Sequence, residues 1–355
     1  MSAAIDTTPL RHPTLRLARG EVRLHAPEGL DEVEAAMWRL VGGHDRAAAM
    51  AHEHLATGGK RLRARLALAA TTALGGPLRD AVPWAAAVEL LHNATLVHDD
   101  IQDRDVVRRG SPTLWARHGT AQAINAGDFL LMLPFVALSD APPQVQSELG
   151  RGLAEHAVRT VRGQIAELDL LAQGALDWDA YLEAIAGKTG ALVGLPVYGA
   201  AILAGRSRAQ AEQLSHAFSR LGVLFQLQDD VLDLYGDKGR DRPGSDLYEG
   251  KVSALVIAHL AQCPHDREAL LAVLTAAREA TPHEEVDRFV AAFAQSGALA
   301  DVIERIESLA TETRGDPALL EEPALHRVAL DLTSIALAPV SHLFSEHHFS
   351  QGASR

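Results

Sequence analysis

Apolar residues run through this chain in long stretches without the strict alternation that a half-buried strand requires, and Ala, Leu, Glu and Arg dominate the stretches. Such a pattern favours helix almost everywhere. Breakers punctuate it at wide intervals: Gly75-Gly76-Pro77, Pro142-Pro143, Gly174, Gly205, and the run from Gly236 to Gly244. Between them the spacing predicts helices from about Val82 to Asp103, Ala121 to Ser139, Gln144 to Gln173, Trp178 to Gly205, and Arg208 to Tyr235. Segments of this length are typical of a helical bundle. No Pro-, Gly- or Ser-rich linker and no repeat divides them. The expectation is therefore one all-α domain over 1–355, with a core at about 28–345 and poorly packed termini.

Composition narrows the choice of partner. The 355 residues carry 33 Lys and Arg against 46 Asp and Glu, a formal net charge of −13. That balance argues against a nucleic-acid coat and against a basic membrane-surface patch. The uncharged stretch from Thr189 to Gly205 is interrupted by Gly194, Pro196 and Gly199, and reads as a buried core helix rather than a membrane span. The N-terminus shows no secretory pattern. With the lone Cys263, this points to a cytoplasmic protein.

Two acidic clusters stand out, Asp99-Asp100-Ile101-Gln102-Asp103 and Asp229-Asp230-Val231-Leu232-Asp233. Helical spacing brings Asp99 towards Asp103, and Asp229 towards Asp233. Like charges repel, and the C-terminal end of a helix is itself partially negative, so the arrangement calls for cations. Either cluster alone reads equally well as a solvated helix end; two copies at one spacing favour ligation. Hard oxygen donors without Cys or His spacing select Mg²⁺ shared with a phosphate group. Basic residues supply a counterpart: Gly58-Gly59-Lys60-Arg61-Leu62-Arg63 precedes a helix, and Arg108-Arg109 follows the first cluster. Glycines let backbone N–H groups approach an anion, and Lys and Arg complete the cradle. The helices beneath both clusters are mostly apolar. The residues thus describe two phosphate-bearing ligands, one held through metal and one through cations, above a greasy pocket.

These motifs resemble the trans-isoprenyl diphosphate synthases, the polyprenyl synthetase family, and most of all a bacterial geranylgeranyl diphosphate synthase. The likeness runs from about Leu55 to Ser253 and rests on the stretch from Glu89 to Gly119 and on Phe225-Gln226-Leu227-Gln228-Asp229-Asp230-Val231-Leu232-Asp233. It implies the isoprenoid synthase fold, a single bundle of long helices around a central apolar cavity, and a homodimer. The implied reaction joins an allylic prenyl diphosphate to isopentenyl diphosphate in trans. By the same resemblance, Asp99 and Asp103 bind two Mg²⁺ ions and Asp229 a third, about three per site, with Asp100, Asp230 and Asp233 in support. Arg108, Lys188, Thr189 and Gln226 contact the allylic substrate; Lys60, Arg63, His92 and Arg109 hold isopentenyl diphosphate. Arg242 is expected to stand in for a diphosphate-binding lysine in the loop after the second cluster, and Lys251 matches its family position. Ala64 and Glu167 replace the family's usual Pro and Asp.

The resemblance also implies that the residues four and five positions before Asp99 help set the pocket floor; here they are small, Thr95 and Ala94, with Leu91 a turn deeper. This implies a twenty-carbon product, geranylgeranyl diphosphate, or a longer one, and Ala94→Phe is expected to shorten it. Three rival readings are a terpene cyclase on the same fold, a non-catalytic subunit of a heteromeric synthase, and a Mg²⁺-dependent phosphohydrolase. The first predicts loss of the Lys60–Arg63–His92–Arg109 cradle, the second loss of an aspartate cluster, and the third no need for long apolar helices.

Overall fold

The computed structural model describes residues 28–236, 244–277 and 281–343. In chain order, α1 (Leu30–Val41), α2 (Arg46–Ala56), α3 (Leu62–Ala73) and α4 (Leu78–Gln102) lead into a short ribbon, β1 (Val107–Arg108) and β2 (Ser111–Pro112). Then come α5 (Leu114–His118), α6 (Thr120–Ala137), α7 (Gln146–Gln173), α8 (Trp178–Ile185), α9 (Ala191–Leu203) and α10 (Arg208–Tyr235). The remainder is α11 (Ser245–Tyr248), α12 (Ala254–Gln262), α13 (Arg267–Thr275), α14 (His283–Gln295), α15 (Ala298–Arg314), α16 (Pro317–Leu320) and α17 (Pro323–Leu337). The predicted all-α class holds.

Local chemistry explains several boundaries. Ser207 and Gln210 cap each other's backbone reciprocally and start α10, which ends against Gly236. Asp45, Asp177 and Ser253 accept from backbone N–H groups at the starts of α2, α8 and α12. Helix α4 packs on α6, α3 and α9, and α9 packs on α10, so the two aspartate-bearing helices share a neighbour. One contiguous hydrophobic cluster extends from Val33 to Val340.

Two features depart from the sequence expectation. The helix expected from Trp178 to Gly205 is split by a π-turn, Ala186–Gly190, where Ala191 N–H donates to the carbonyl of Ala186, five residues back. The chain after the first aspartate cluster forms the β1–β2 hairpin, with Val107 opposite Pro112 and Arg108 opposite Ser111. Its two-residue turn holds Arg109 at φ 52° and Gly110 at φ 77°, the left-handed geometry that suits a tight hairpin.

Two stretches, Thr120–Asp140 and Trp178–Leu203, are long and apolar enough to cross a membrane by length and composition. The second is a core element: every residue of α9 from Ala191 to Ile202 is buried. The first is less enclosed, and Ile124, Met132, Phe135 and Val136 stand exposed on α6.

Candidate active site

Asp99 on α4, Asp103 at its C-cap and Asp229 on α10 line one cavity of about 520 Å³. Its wall also includes Arg63 from α3, His92 and Thr95 from α4, Arg108 from the hairpin, Lys188 and Thr189 from the π-turn, Gln226 from α10, and Lys251. Residues scattered over the chain thus converge on one polar mouth. Below it, Leu96, Val161, Ile165, Leu168 and Leu192 make the walls apolar.

The acidic side is held by specific partners. Lys251 Nζ lies 2.9 Å from both Asp103 and Glu249, and these carboxylates keep its ammonium charged in spite of burial. Lys188 is ion-paired to Glu167, the position where the resemblance implies aspartate. Burial works against the Lys188 charge, but Glu167 and Asp99 outweigh it and hold its pKa above the ordinary lysine value. Asp99 is pushed up, chiefly by burial and then by Asp103 and Glu167, with Lys188 and Arg108 opposing. Such a cluster favours a cation that shields the carboxylates from one another.

Around Gln226 the hydrogen bonds fix an orientation. Thr189 Oγ1 donates to its amide oxygen at 2.9 Å, and its nitrogen donates to Asp230 at 3.0 Å. Asp230 also accepts from Tyr181 Oη at 2.5 Å and from Ala254 N–H at 2.6 Å. Burial nonetheless raises its pKa to about 7, against the pull of those donors.

The basic side sits beside the hairpin. Arg109 donates to the carbonyl of Gly58, and its guanidinium lies over Gly59, where a methyl group would stand 2.8 Å from Nη1. Gly59 also has φ 140°, a backbone that a side chain rarely adopts. Arg63 Nε and His92 Nδ1 are buried with no hydrogen-bond partner among the described residues. Burial depresses the Arg63 pKa to about 10 and drives that of His92 well below its usual value, with neighbouring arginines adding to the effect on His92. Orphaned donors at a cavity wall are the arrangement a bound anion would complete.

Several expected site residues have other places. Asp100 is buried and accepts from Arg108 Nε at 2.5 Å, so it anchors that arginine instead of facing the cavity. Asp233 is buried and receives Ser245 Oγ at 2.5 Å and Asp246 N–H at 3.0 Å, fastening the returning chain to α10. Four helical residues turn through about 400°, so the second carboxylate of each pair is offset by roughly 40°: Asp233 is taken up by Ser245 and Asp246, while Asp103 stays on the cavity, paired with Lys251. Thr95 lines the cavity, but Ala94 and Leu91 do not; both are buried in helix packing. Five residues from Asp99, Ala94 is turned roughly 140° away from it. Lys60 is exposed, outside the cavity lining. Arg242 lies outside the described residues.

The sequence motifs do not single out Tyr181, Asp246 or His54 as site residues. His54 is buried beside Arg108 and Arg109, and desolvation followed by those charges lowers its pKa to about 4. Only the three-dimensional path of α2, α8 and α11 brings these residues to the site; no spacing in the chain signals it.

Residues 44–293 match the profile of the polyprenyl synthetase family. A short chain isoprenyl diphosphate synthase of Methanocaldococcus jannaschii is 34% identical over 71% of this chain and 78% of its own. A geranylgeranyl diphosphate synthase of Methanosarcina mazei is 40% identical over 56% of this chain and 63% of its own. Among solved structures, a polyprenyl synthase from Caulobacter crescentus complexed with calcium and isoprenyl diphosphate superposes with a TM-score of 0.78. It is 27% identical, covering 87% of this chain and 94% of that one.

Proposed function

This chain belongs to the polyprenyl synthetase family and is an isoprenyl diphosphate synthase, and from that premise we propose that it elongates an allylic diphosphate with isopentenyl diphosphate to the twenty-carbon geranylgeranyl diphosphate. The observation that carries the residue assignment is the convergence of Asp99, Asp103 and Asp229, from two separate helices, with Arg63, His92, Lys188 and Thr95 on one cavity. The enzyme class is metal-dependent, and this all-oxygen donor set suits Mg²⁺, about three ions held by Asp99, Asp103 and Asp229. Metal ions held by these carboxylates would supply Lewis-acid charge withdrawal from the allylic diphosphate.

The chain's own residues do the rest. Lys188 and Arg108 hold the allylic diphosphate as its C–O bond breaks and the electron pair leaves with the phosphate. Glu167 and Asp100 keep those two cations aimed. Thr189 and Gln226 present oxygen dipoles to the developing allylic cation. Arg63, His92 and Arg109 take the diphosphate of isopentenyl diphosphate, with Lys60 reaching in from the rim. The isopentenyl double bond attacks the cation, and the resulting carbocation loses a proton, with the released diphosphate as base. Leu96 and Leu192 keep water from the cation, joined by Val161, Ile165 and Leu168 once a second copy covers them. Thr95 leaves room for the growing chain.

We read the enzyme as a cytoplasmic homodimer, one domain per chain. Val158, Val161, Ile165 and Leu168 are exposed along α7, and Ile124, Met132, Phe135 and Val136 along α6. A second copy covering this face would also seal the cavity wall that Val161, Ile165 and Leu168 form.

The test is incubation of the purified protein with Mg²⁺, isopentenyl diphosphate and dimethylallyl, geranyl or farnesyl diphosphate in parallel, with products sized by mass spectrometry. A twenty-carbon diphosphate from all three primers is expected. A hydrocarbon plus free diphosphate, or no turnover of any primer, overturns the reading.

A further inference from the structure

Helix α12 begins at the active site and ends at a second cluster of ligand-type side chains. At its start, Ala254 N–H donates to Asp230. At its end stand His259, Cys263 and Asp266, whose donor atoms all lie within 4.8 Å of one another. His259 lies in α12, and Cys263, four residues on, is the residue that caps the helix. Backbone bonds fix the set: Cys263 N–H donates to the His259 carbonyl at 2.7 Å, and Asp266 N–H to the Cys263 carbonyl at 3.1 Å.

His259 is 1% exposed, with the rings of Phe289 and Phe293 against it. Its Nδ1 lies 3.0 Å from Ser296 Oγ, and its Nε2 lies 3.1 Å from Asp266 Oδ2. Ser296 Oγ is also 3.4 Å from the Phe293 carbonyl and 3.4 Å from Ala298 N–H. Two arrangements satisfy these contacts: Ser296 Oγ donates to Nδ1 while Nε2–H donates to Asp266, or Ser296 turns its proton to the Phe293 carbonyl and accepts from Nδ1–H. In the tautomer with the proton on Nδ1, the Nε2 lone pair faces a carboxylate oxygen, an arrangement that a cation shared between them would complete. A histidine whose far nitrogen is fixed by a hydrogen bond, beside a thiol and a carboxylate, has the outer support typical of a metal ligand.

We propose that His259, Cys263 and Asp266 bind a borderline-soft divalent cation of the Zn²⁺ type, separate from the oxygen-lined active site. A nitrogen, sulfur and oxygen donor set selects such an ion over Mg²⁺. His265 is the candidate fourth ligand: it is 78% exposed, with Nε2 3.9 Å from Asp266 Oδ2. Binding converts the Cys263 thiol to a metal thiolate and releases its proton to solvent. The ion would tie the last turn of α12 to the turn that follows, at the end remote from Asp230.

The test is titration of metal-free, full-length protein with Co²⁺, followed by Zn²⁺ competition against a chromophoric chelator. One equivalent of Co²⁺ should give a near-ultraviolet thiolate-to-cobalt charge-transfer band and intense tetrahedral visible bands, which Zn²⁺ bleaches. Cys263→Ser should abolish the charge-transfer band, and Asp266→Asn should weaken Zn²⁺ binding by about tenfold or more. Both positions are partly exposed, and both variants should retain prenyl transfer in Zn²⁺-free buffer containing Mg²⁺. A weak octahedral cobalt spectrum without the thiolate band would mean binding at the aspartate clusters alone and would overturn the proposal. So would unchanged Zn²⁺ affinity in Asp266→Asn.

Discussion

Replacing Gly163 with Ala tests how the lysine of the allylic side is positioned. Gly163 on α7 packs directly on the π-turn: a methyl there would stand 2.5 Å from the Gly187 carbonyl carbon and 2.7 Å from the Ala184 carbonyl oxygen. The backbone nitrogen of Lys188 would be closer still, and ordinary contact begins at 3.4 Å, so the two segments must part by more than about 0.9 Å. All the nearest atoms are backbone, and no flexible side chain can absorb the shift. The π-turn carries Lys188 and Thr189, so both move with it. Overpacking of this kind costs about 1–3 kcal/mol of stability, and a misplacement near 1 Å at reacting groups costs about 10²-fold in rate. Steady-state kinetics should therefore show kcat/KM for the allylic diphosphate falling about 10²-fold. The KM for isopentenyl diphosphate should stay near the wild-type value, because Arg63, His92 and Arg109 sit on α3, α4 and the hairpin. Gly150→Ala on the same helix is the control: its nearest neighbour, Leu138 Cδ1, is 4.0 Å away, so only helix propensity changes, by up to about 1 kcal/mol in favour of folding. Wild-type kinetics in Gly163→Ala, or a loss confined to isopentenyl diphosphate, would refute the reasoning.

Three further outcomes are expected. Thr95→Phe should shorten the product by filling the cavity directly, whereas Ala94→Phe should shorten it only by displacing buried neighbours, at about 1–3 kcal/mol of stability; mass spectrometry and urea melts separate the two. Tyr181→Phe removes one donor from Asp230, and a hydrogen bond to a charged group contributes about 1.5–3 kcal/mol, so kcat/KM should drop about tenfold or more at pH 7. The Asp230 pKa, already raised to about 7, should rise further, so activity should recover at higher pH; a uniform loss across the pH profile would contradict this. His156, buried with Nδ1 on the Gly152 carbonyl and Nε2 on Ser215, has its pKa lowered by burial from 6.5 to about 4. The unfolded chain takes up that proton first, so the stabilisation is complete above about pH 6.5 and is lost as pH falls towards 4. It amounts to about 2 kcal/mol lost by pH 5. Urea melts of wild type against His156→Asn should show that slope only in the former.

Legibility followed the range of the interactions. Helix α10 was readable to its last residue because its cap, its apolar face and its terminating glycine are all local. The aspartate clusters were readable as a chemistry because two copies share one spacing. What each carboxylate does was not, since Asp100 and Asp233 are claimed by Arg108 and by Ser245 with Asp246, partners fixed by the loops that follow each cluster. The β1–β2 hairpin was missed because two-residue strands give no periodic signal; its only trace is the Arg109-Gly110 pair. The split of the expected Trp178–Gly205 helix leaves hydrophobicity unchanged and so was invisible to pattern alone.

That split has a consequence for what the coding sequence tolerates. A π-turn is a helix carrying one surplus residue, so deleting a single codon within 186–190 would convert α8 and α9 into one unbroken α-helix. Backbone geometry would improve, and α9, buried on all sides, would still present an apolar surface after turning by roughly 100°. Lys188 and Thr189 could no longer both reach the cavity. Within 178–203 this is the one place where shortening the chain makes a more regular helix and should yield an inactive enzyme.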